Sequence, residues 1–256
     1  MKIAIIGAGS MGGALAKGFV KSGFEKPSNI FVTTARQSSA DVWKKAGYSA
    51  CTSEFNIDAV LGADIVILAV KPWLASKVLK DIVFMKSQTV VSVMAGVGKA
   101  ELSSAFNNNI PGALYLAMPN IAAANCQGVT FLAPAWDNIG GGEKVEKMFG
   151  AVGRVFITDE KHLGAGTALA SCGIAYALRY LRAATEGGVQ LGFKADVARE
   201  IVAQTLAGAV SLLESEKVHP EELIDRVTTP GGLTIRGLNA MEEAGFTNAV
   251  IKGLLA

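Results

Sequence analysis

Two glycine-rich segments carry most of the chemistry in this chain. The first, Thr228-Thr229-Pro230-Gly231-Gly232-Leu233-Thr234-Ile235-Arg236-Gly237-Leu238, puts a rigid turn, bare backbone and hydroxyls at the start of a helix. Pro230 fixes φ, and Gly231 and Gly232 remove the side chains that would hold a ligand off the main chain, so N–H groups at the helix start can face a small carboxylate. Thr234 then hangs beside that anion. Taken alone, Pro-Gly-Gly also reads as an ordinary interhelical turn. The second segment, Gly7-Ala8-Gly9-Ser10-Met11-Gly12, follows the apolar run Ile3 to Ile6 and opens a helical pattern through Ala14, Leu15, Phe19 and Val20. Gly7 permits the tight turn, Gly9 lets the backbone approach a pyrophosphate, and Gly12 lets the helix pack close to the strand. This is a dinucleotide-binding pattern in the context that gives it weight, between a strand and a helix.

The end of the second strand indicates which dinucleotide. An NAD site usually carries an Asp or Glu there for the ribose diol, yet the stretch from Ile30 to Gln37 holds no acid and offers Thr33, Thr34 and Arg36. Hydroxyls beside a guanidinium suit a 2′-phosphate, which Arg neutralises and hydrogen-bonds together. NADP(H) is therefore favoured over NADH. Lys71, after the apolar run Ile65 to Val70, should emerge at the carboxyl edge of the sheet, where open α/β folds bind ligands. Asn120, after Met118-Pro119, ends a later strand in the same way, and its amide is a candidate to orient the nicotinamide or the substrate.

These residues need a scaffold, and the chain supplies one. Strand-like runs at Ile3–Ile6, Ile30–Thr33, Ile65–Val70, Thr89–Met94, Ala113–Met118 and Val129–Ala133 alternate with helical stretches up to about residue 155. That alternation predicts an α/β fold, a mostly parallel, doubly wound sheet covered on both faces. From about residue 158 the strand signal stops. Leu163 to Leu178 has no charged residue and many small ones, which favours close helix contact, and Asp196 to Leu213 puts Val202, Leu206, Val210 and Leu213 on one helical stripe. A further helix is expected at His219-Pro220, with Pro in the first turn and His219 as a cap or an exposed residue. We read residues 1–158 as the dinucleotide-binding domain and 159–256 as a smaller all-helical domain that binds substrate and pairs with a copy of itself.

Composition narrows the partners. The chain has 256 residues, half of them hydrophobic, and a formal net charge of +2. Without a Lys/Arg run or interleaved aromatic and basic residues it carries no footprint for nucleic acid. Cys51, Cys126 and Cys172 are odd in number and widely spaced, which fits reduced thiols and offers no metal-ligand pairing. No apolar run approaches about 18 residues and the opening residues do not read as a signal peptide. A soluble cytoplasmic protein acting on small molecules is the expectation.

Taken together, Gly7 to Gly12, Ala69-Val70-Lys71-Pro72, Met118-Pro119-Asn120, Glu186-Gly187-Gly188-Val189 and above all Thr228 to Gly237 resemble the pyrroline-5-carboxylate reductase family, and the likeness spans essentially the whole chain. The resemblance implies a Rossmann domain followed by a helical domain that intertwines with its partner's, giving a homodimer or a larger assembly of dimers. It implies NADPH-dependent reduction of the cyclic imine L-1-pyrroline-5-carboxylate to L-proline. By the same resemblance Gly7, Gly9, Ser10, Met11 and Gly12 hold the pyrophosphate, Thr34 and Arg36 lie near the adenosine phosphate, Asn56 touches the nucleotide, and Ala69 and Lys71 line the nicotinamide side. Thr229, Gly231, Gly232 and Thr234 bind substrate, with amides of Gly231 and Gly232 on the carboxylate and the Thr234 hydroxyl at the ring nitrogen as the catalytic group. The chain departs from the family's Arg-x-Met-Pro-Asn-x-Pro at Leu116 and Ala122, and from Ser-Gly-Ser-Gly-Pro-Ala-Tyr in the stretch Ala170 to Tyr176, which includes Cys172 and Ile174. A reductase of another cyclic imine and a non-catalytic NADP-binding sensor are the alternatives.

Overall fold

The structure is a computed structural model that describes residues 1–107 and 109–256. The chain divides into two compact units, Met1–Ser171 and Cys172–Ala256. In the first, eight strands form one sheet in the order β3-β2-β1-β4-β5-β6-β7-β8, where β1 is Ile3–Ile6, β2 Ile30–Thr34, β3 Ser49–Thr52, β4 Ile65–Leu68, β5 Thr89–Ser92, β6 Ala113–Pro119, β7 Gly128–Asp137 and β8 Gly153–Ile157. The first six strands in sequence pair in parallel, β7 runs antiparallel to β6, and β8 is parallel to β7.

Strand residues are buried on both sides, and the pleat sorts them. Ile3, Ile5, Ile65, Ile67, Tyr115 and Ala117 enter one core, while Ala4, Ile6, Val66, Leu68, Leu114 and Leu116 enter the other. Each core is closed by helices. On the first face lie α1 (Ser10–Lys21), α2 (Gln37–Lys45) and α6 (Gly142–Gly150), contributing Leu15, Phe19, Ala40, Met148 and Phe149. On the second lie α3 (Asn56–Val60), α4 (Ala75–Leu79), α5 (Lys99–Ala105) and α7 (Leu163–Gly166), contributing Val60, Leu79, Leu102 and Leu163. With about 1.5–3 kcal/mol for each fully buried Leu, Ile or Phe, this two-faced burial is what makes near-continuous apolar runs such as Ile65–Leu68 fold as central parallel strands.

Two strands escape the sequence reading, and a third is longer than it predicts. Ser49-Ala50-Cys51-Thr52 has Thr52 as its one branched or aromatic residue, too weak a strand signal, and forms β3 because the β2 edge gives it a ladder. The second, β8, is an outer strand whose Phe156 and Ile157 stay exposed. Pro134 breaks the pattern in β7, yet the strand continues to Asp137 because a register shift opposite Leu114 and Tyr115 accommodates it. At the end of β7 the Asp137 carboxylate accepts from the backbone N–H of Gly141 (3.0 Å), Ile139 (3.1 Å) and Gly142 (3.1 Å) and from the Tyr115 hydroxyl (2.7 Å), tying the sheet to the start of α6. Desolvation alone would raise its pKa; the Gly141 amide, the Tyr115 hydroxyl and the other two amides overcome that and hold it at about 2.

The second unit is helical. It comprises α8 (Gly173–Gln190), α9 (Ala195–Glu216), α10 (Pro220–Arg226), α11 (Leu233–Glu243) and α12 (Phe246–Leu255). A π-helical turn, Thr167–Cys172, runs from α7 into α8. His219 caps α10: its Nδ1 accepts from the Glu221 N–H at 3.3 Å and its own N–H donates to the Glu222 carboxylate at 3.2 Å. Ala198 is the one buried side chain of this unit, whereas Leu191, Leu233 and Leu255 are each more than four-fifths exposed. Among the described residues no helix is long and apolar enough to cross a membrane.

Candidate active site

Parallel pairing of β1 with β2 and β4 brings the carboxyl ends of these strands together where the strand order reverses, and the glycine loop sits there. Gly7 has φ +100°, and a Cβ on it would lie 2.9 Å from Val70 Cγ1 and 3.0 Å from the Ala69 carbonyl oxygen. A Cβ on Gly12 would run into the Gly7 carbonyl oxygen and come within 3.1 Å of Ala69 Cβ, so α1 can lie against β1 and β4 only with glycine there. Thr33 braces the loop from β2: its Oγ1 accepts from the Gly7 N–H at 3.1 Å and its carbonyl from the Ala8 N–H at 2.7 Å. Gly9 faces outward, with no atom within 4 Å of where a Cβ would be, and caps α1 without a side chain. No side chain caps the first-turn amides of Ser10, Met11 and Gly12, while the Met11 side chain packs against the core.

At the end of β2 the two residues expected to meet the adenosine phosphate differ. Arg36 is exposed, stands in extended conformation as the N-cap of α2, and has no carboxylate partner among the described residues. Thr34 is buried, and its hydroxyl donates to the Arg36 carbonyl at 2.9 Å. Thr34, expected near the adenosine phosphate, thus has its hydroxyl engaged in shaping the loop that presents Arg36. Asn56, at the start of α3, is 7% exposed and its Oδ1 has no hydrogen-bond partner. A void beside Gly9, uncapped amides, an unopposed guanidinium and an orphaned amide oxygen are what a phosphorylated dinucleotide would complete.

Ala69 continues the β4 ladder, its N–H donating to the Ile6 carbonyl at 2.9 Å. Lys71 follows at the carboxyl edge, exposed, with Nζ 5.9 Å from the centre of the Trp73 ring. Asn120 is a correction. The amide expected to orient the nicotinamide or the substrate is 3% exposed and engaged within the fold: Oδ1 accepts from the Ala122 N–H (3.2 Å) and the Val129 N–H (3.4 Å), and Nδ2 donates to the Ala170 carbonyl (3.2 Å). Leu116, a departure from the family pattern, is 1% exposed within the sheet core and so faces no ligand.

In the second unit, Thr229-Pro230-Gly231-Gly232 forms a turn closed by the Gly232 N–H on the Thr229 carbonyl at 3.0 Å, with Gly231 at φ +68°. Pro in the second place and positive φ in the third are the marks of a type II turn. Gly232 is the N-cap of α11, without a side-chain cap, and a Cβ on it would strike the Thr229 hydroxyl. The Gly232 amide assigned above to the carboxylate is thus used by the turn itself. The amides left open are those of the first turn of α11, Leu233 and Thr234, beside the exposed Thr229 and Thr234 side chains. Sequence reasoning missed this shift, although turn chemistry contains it: in a Pro-Gly turn the fourth residue's N–H closes the loop. The cysteines are free thiols, Cys51 and Cys126 half-buried and Cys172 exposed. No group of three or more His, Cys, Asp or Glu residues suited to a metal occurs among the described residues.

Residues 160–256 match the model of the pyrroline-5-carboxylate reductase dimerisation domain, and residues 2–96 that of the NADP oxidoreductase, coenzyme F420-dependent, family. Pyrroline-5-carboxylate reductase 2 of Dictyostelium discoideum is 34% identical over 99% of this chain and 89% of its own length. Pyrroline-5-carboxylate reductase 1 of the same organism is 38% identical over 99% of this chain, which spans about half of that longer relative (48%). The crystal structure of Plasmodium falciparum pyrroline carboxylate reductase with NADP bound superposes with a TM-score of 0.89 at 25% identity, covering 99% of this chain and 94% of that one. With 34% identity sustained along 99% of this chain and 89% of that second Dictyostelium discoideum relative, and with the dimerisation-domain model matched over residues 160–256, the chain belongs to the pyrroline-5-carboxylate reductase family.

Proposed function

We propose that this chain reduces L-1-pyrroline-5-carboxylate to L-proline with NADPH, the last step of proline biosynthesis. The observation that carries the reading is the start of α11, where two first-turn amides and the Thr234 hydroxyl stand together without a protein cap, as an anion bearing a neighbouring N–H requires. NADPH, when bound, supplies the hydride that the substrate's C=N carbon accepts. The protein's part is orientation. Ser10, Met11 and Gly12 amides hold the pyrophosphate, Arg36 the 2′-phosphate and Asn56 the adenosine, with Thr34 acting through Arg36. Ala69 and Lys71 line the nicotinamide side. Leu233 and Thr234 amides take the substrate carboxylate, and the Thr229 side chain and Gly231 shape the loop around it. The ring nitrogen arrives protonated and donates to Thr234 Oγ, so the positive iminium is held where its carbon is most electrophilic. Since that proton is already on the nitrogen, the step needs no strong general acid, in keeping with a site built without His162 or His219.

Functionally the division runs at 1–158 for the cofactor and 159–256 for substrate and pairing. The homodimer is supported by the second unit's lack of a core of its own. Free cysteines throughout support a reducing, cytoplasmic setting. The test is the fall of NADPH absorbance when the purified protein meets L-1-pyrroline-5-carboxylate, with NADH and a six-membered cyclic imine in parallel. Proline-forming oxidation of NADPH is the expected result. NADPH binding with no oxidation by the five-membered imine would overturn the reading.

A further inference from the structure

We propose that Asn120 is a positioning residue: together with Ser171 it clamps the π-helical turn Thr167–Cys172 to the carboxyl end of β6. This rests on the imine-reduction reading, because the end of β6 lies beyond those of β4 and β5, on the side of the strand reversal opposite β2 and the Arg36 loop, where the nicotinamide half of a dinucleotide lies.

The geometry is specific. The Ser171 hydroxyl donates to the Pro119 carbonyl at 3.0 Å, and Asn120 Nδ2 donates to the Ala170 carbonyl at 3.2 Å, so two successive residues of β6 and its exit hold two successive residues of the turn. Asn120 can serve in one orientation only. Its Oδ1 receives the N–H groups of Ala122 and Val129, and reversing the amide would set donors against donors there and an oxygen against the Ala170 carbonyl. Upstream, the turn is anchored by Leu163 in the core and by Gly166, where a Cβ would run into the Phe131 ring at 2.6 Å. Downstream, Leu169 is 63% exposed and Cys172 is exposed, which leaves the two hydrogen bonds as the restraint on this end of the turn. A six-residue π-helical turn is rare and strained relative to an α-helix, and such turns concentrate at functional sites. Here the clamp holds it in place.

Asn120→Asp keeps an oxygen for the two N–H groups but, when ionised, loses the donor to Ala170. Ser171→Ala removes the other strap alone. Three quantities are read: NADPH affinity by fluorescence, turnover of L-1-pyrroline-5-carboxylate per NADPH-binding site, and hydrogen exchange of residues 167–173. We expect NADPH affinity within about two-fold of wild type, kcat/KM for the imine down about ten-fold in N120D and about three-fold in S171A, and faster exchange confined to the turn. Unchanged turnover, or NADPH affinity falling in step with turnover, would overturn the clamp, the latter by making Asn120 part of the cofactor site. Exchange at 167–173 is read without turnover: a wild-type protein silent toward the imine would sink the proposed reaction, while unaltered exchange in both variants would sink the clamp.

Discussion

Arg36→Met tests the cofactor assignment most directly. Arg36 is exposed and without a carboxylate partner among the described residues, and its backbone is held separately by the Thr34 hydroxyl and by the N–H groups of Ser39 and Ala40 on its carbonyl. Removing the guanidinium therefore leaves the loop in place. A charge pair about 4 Å apart is worth about 1 kcal/mol in water and about 4 kcal/mol at the effective permittivity of a protein surface. A phosphate carries roughly 1.5–2 charges, and a forked guanidinium adds charge-assisted hydrogen bonds. Against this stand the exposure of Arg36 and the entropy of ordering a long side chain, which favour the low end. A loss of about 2 kcal/mol, roughly thirty-fold in Kd for NADPH, is the expected outcome. NADH has no 2′-phosphate, so its Kd should stay within about two-fold, and added salt should erode the wild-type preference because the contact is screened. The assay is a fluorescence titration of both cofactors at low and high ionic strength. Equal losses for NADPH and NADH, or no loss for either, would refute the reasoning, since both would mean that Arg36 does not meet the phosphate.

At the substrate end, Thr234→Ala should lower kcat/KM for the imine about ten- to hundred-fold at unchanged NADPH affinity, while Thr234→Ser retains most activity; steady-state kinetics with saturating NADPH decides this. Away from the site, the Asp137 carboxyl is depressed from its usual 3.8 to about 2. Its stabilisation is thus present above the unfolded value and lost as pH falls from about 4 towards 2. Allowing for solvent screening of an exposed carboxylate, Asp137→Asn should cost about 1 kcal/mol at pH 7 and nothing measurable at pH 2, read from urea midpoints at the two pH values.

The sheet was legible where its residues are buried on both faces, as in Ile65–Leu68, because continuous apolar runs have few other uses in a strand of that length. It was illegible where the neighbour, not the sequence, makes the strand: Ser49–Thr52 is defined by the ladder on β2. The glycine loop could be read residue by residue, since each glycine meets a distinct steric demand that its spacing already states. Thr34, Asn120 and Gly232 could not. All three have the right chemistry for a ligand and stand beside the right motif, but whether a hydroxyl, amide or N–H is available depends on which backbone group reaches it first, and that is a fact of three-dimensional arrangement. The differences move in one direction, from groups spent inside the fold to first-turn amides and one arginine left open.

The near absence of buried side chains between Cys172 and Ala256 bears on when the protein becomes an enzyme at all. Helices whose leucines find no cover within their own unit gain most of their burial from a second chain, so folding of this half is coupled to a bimolecular encounter and its stability rises with chain concentration. The loop proposed above to take the substrate carboxylate lies in this half, at the start of α11. On the proposed function, nucleotide binding by the first unit needs no partner whereas imine recognition waits on pairing, so turnover per chain should rise with chain concentration.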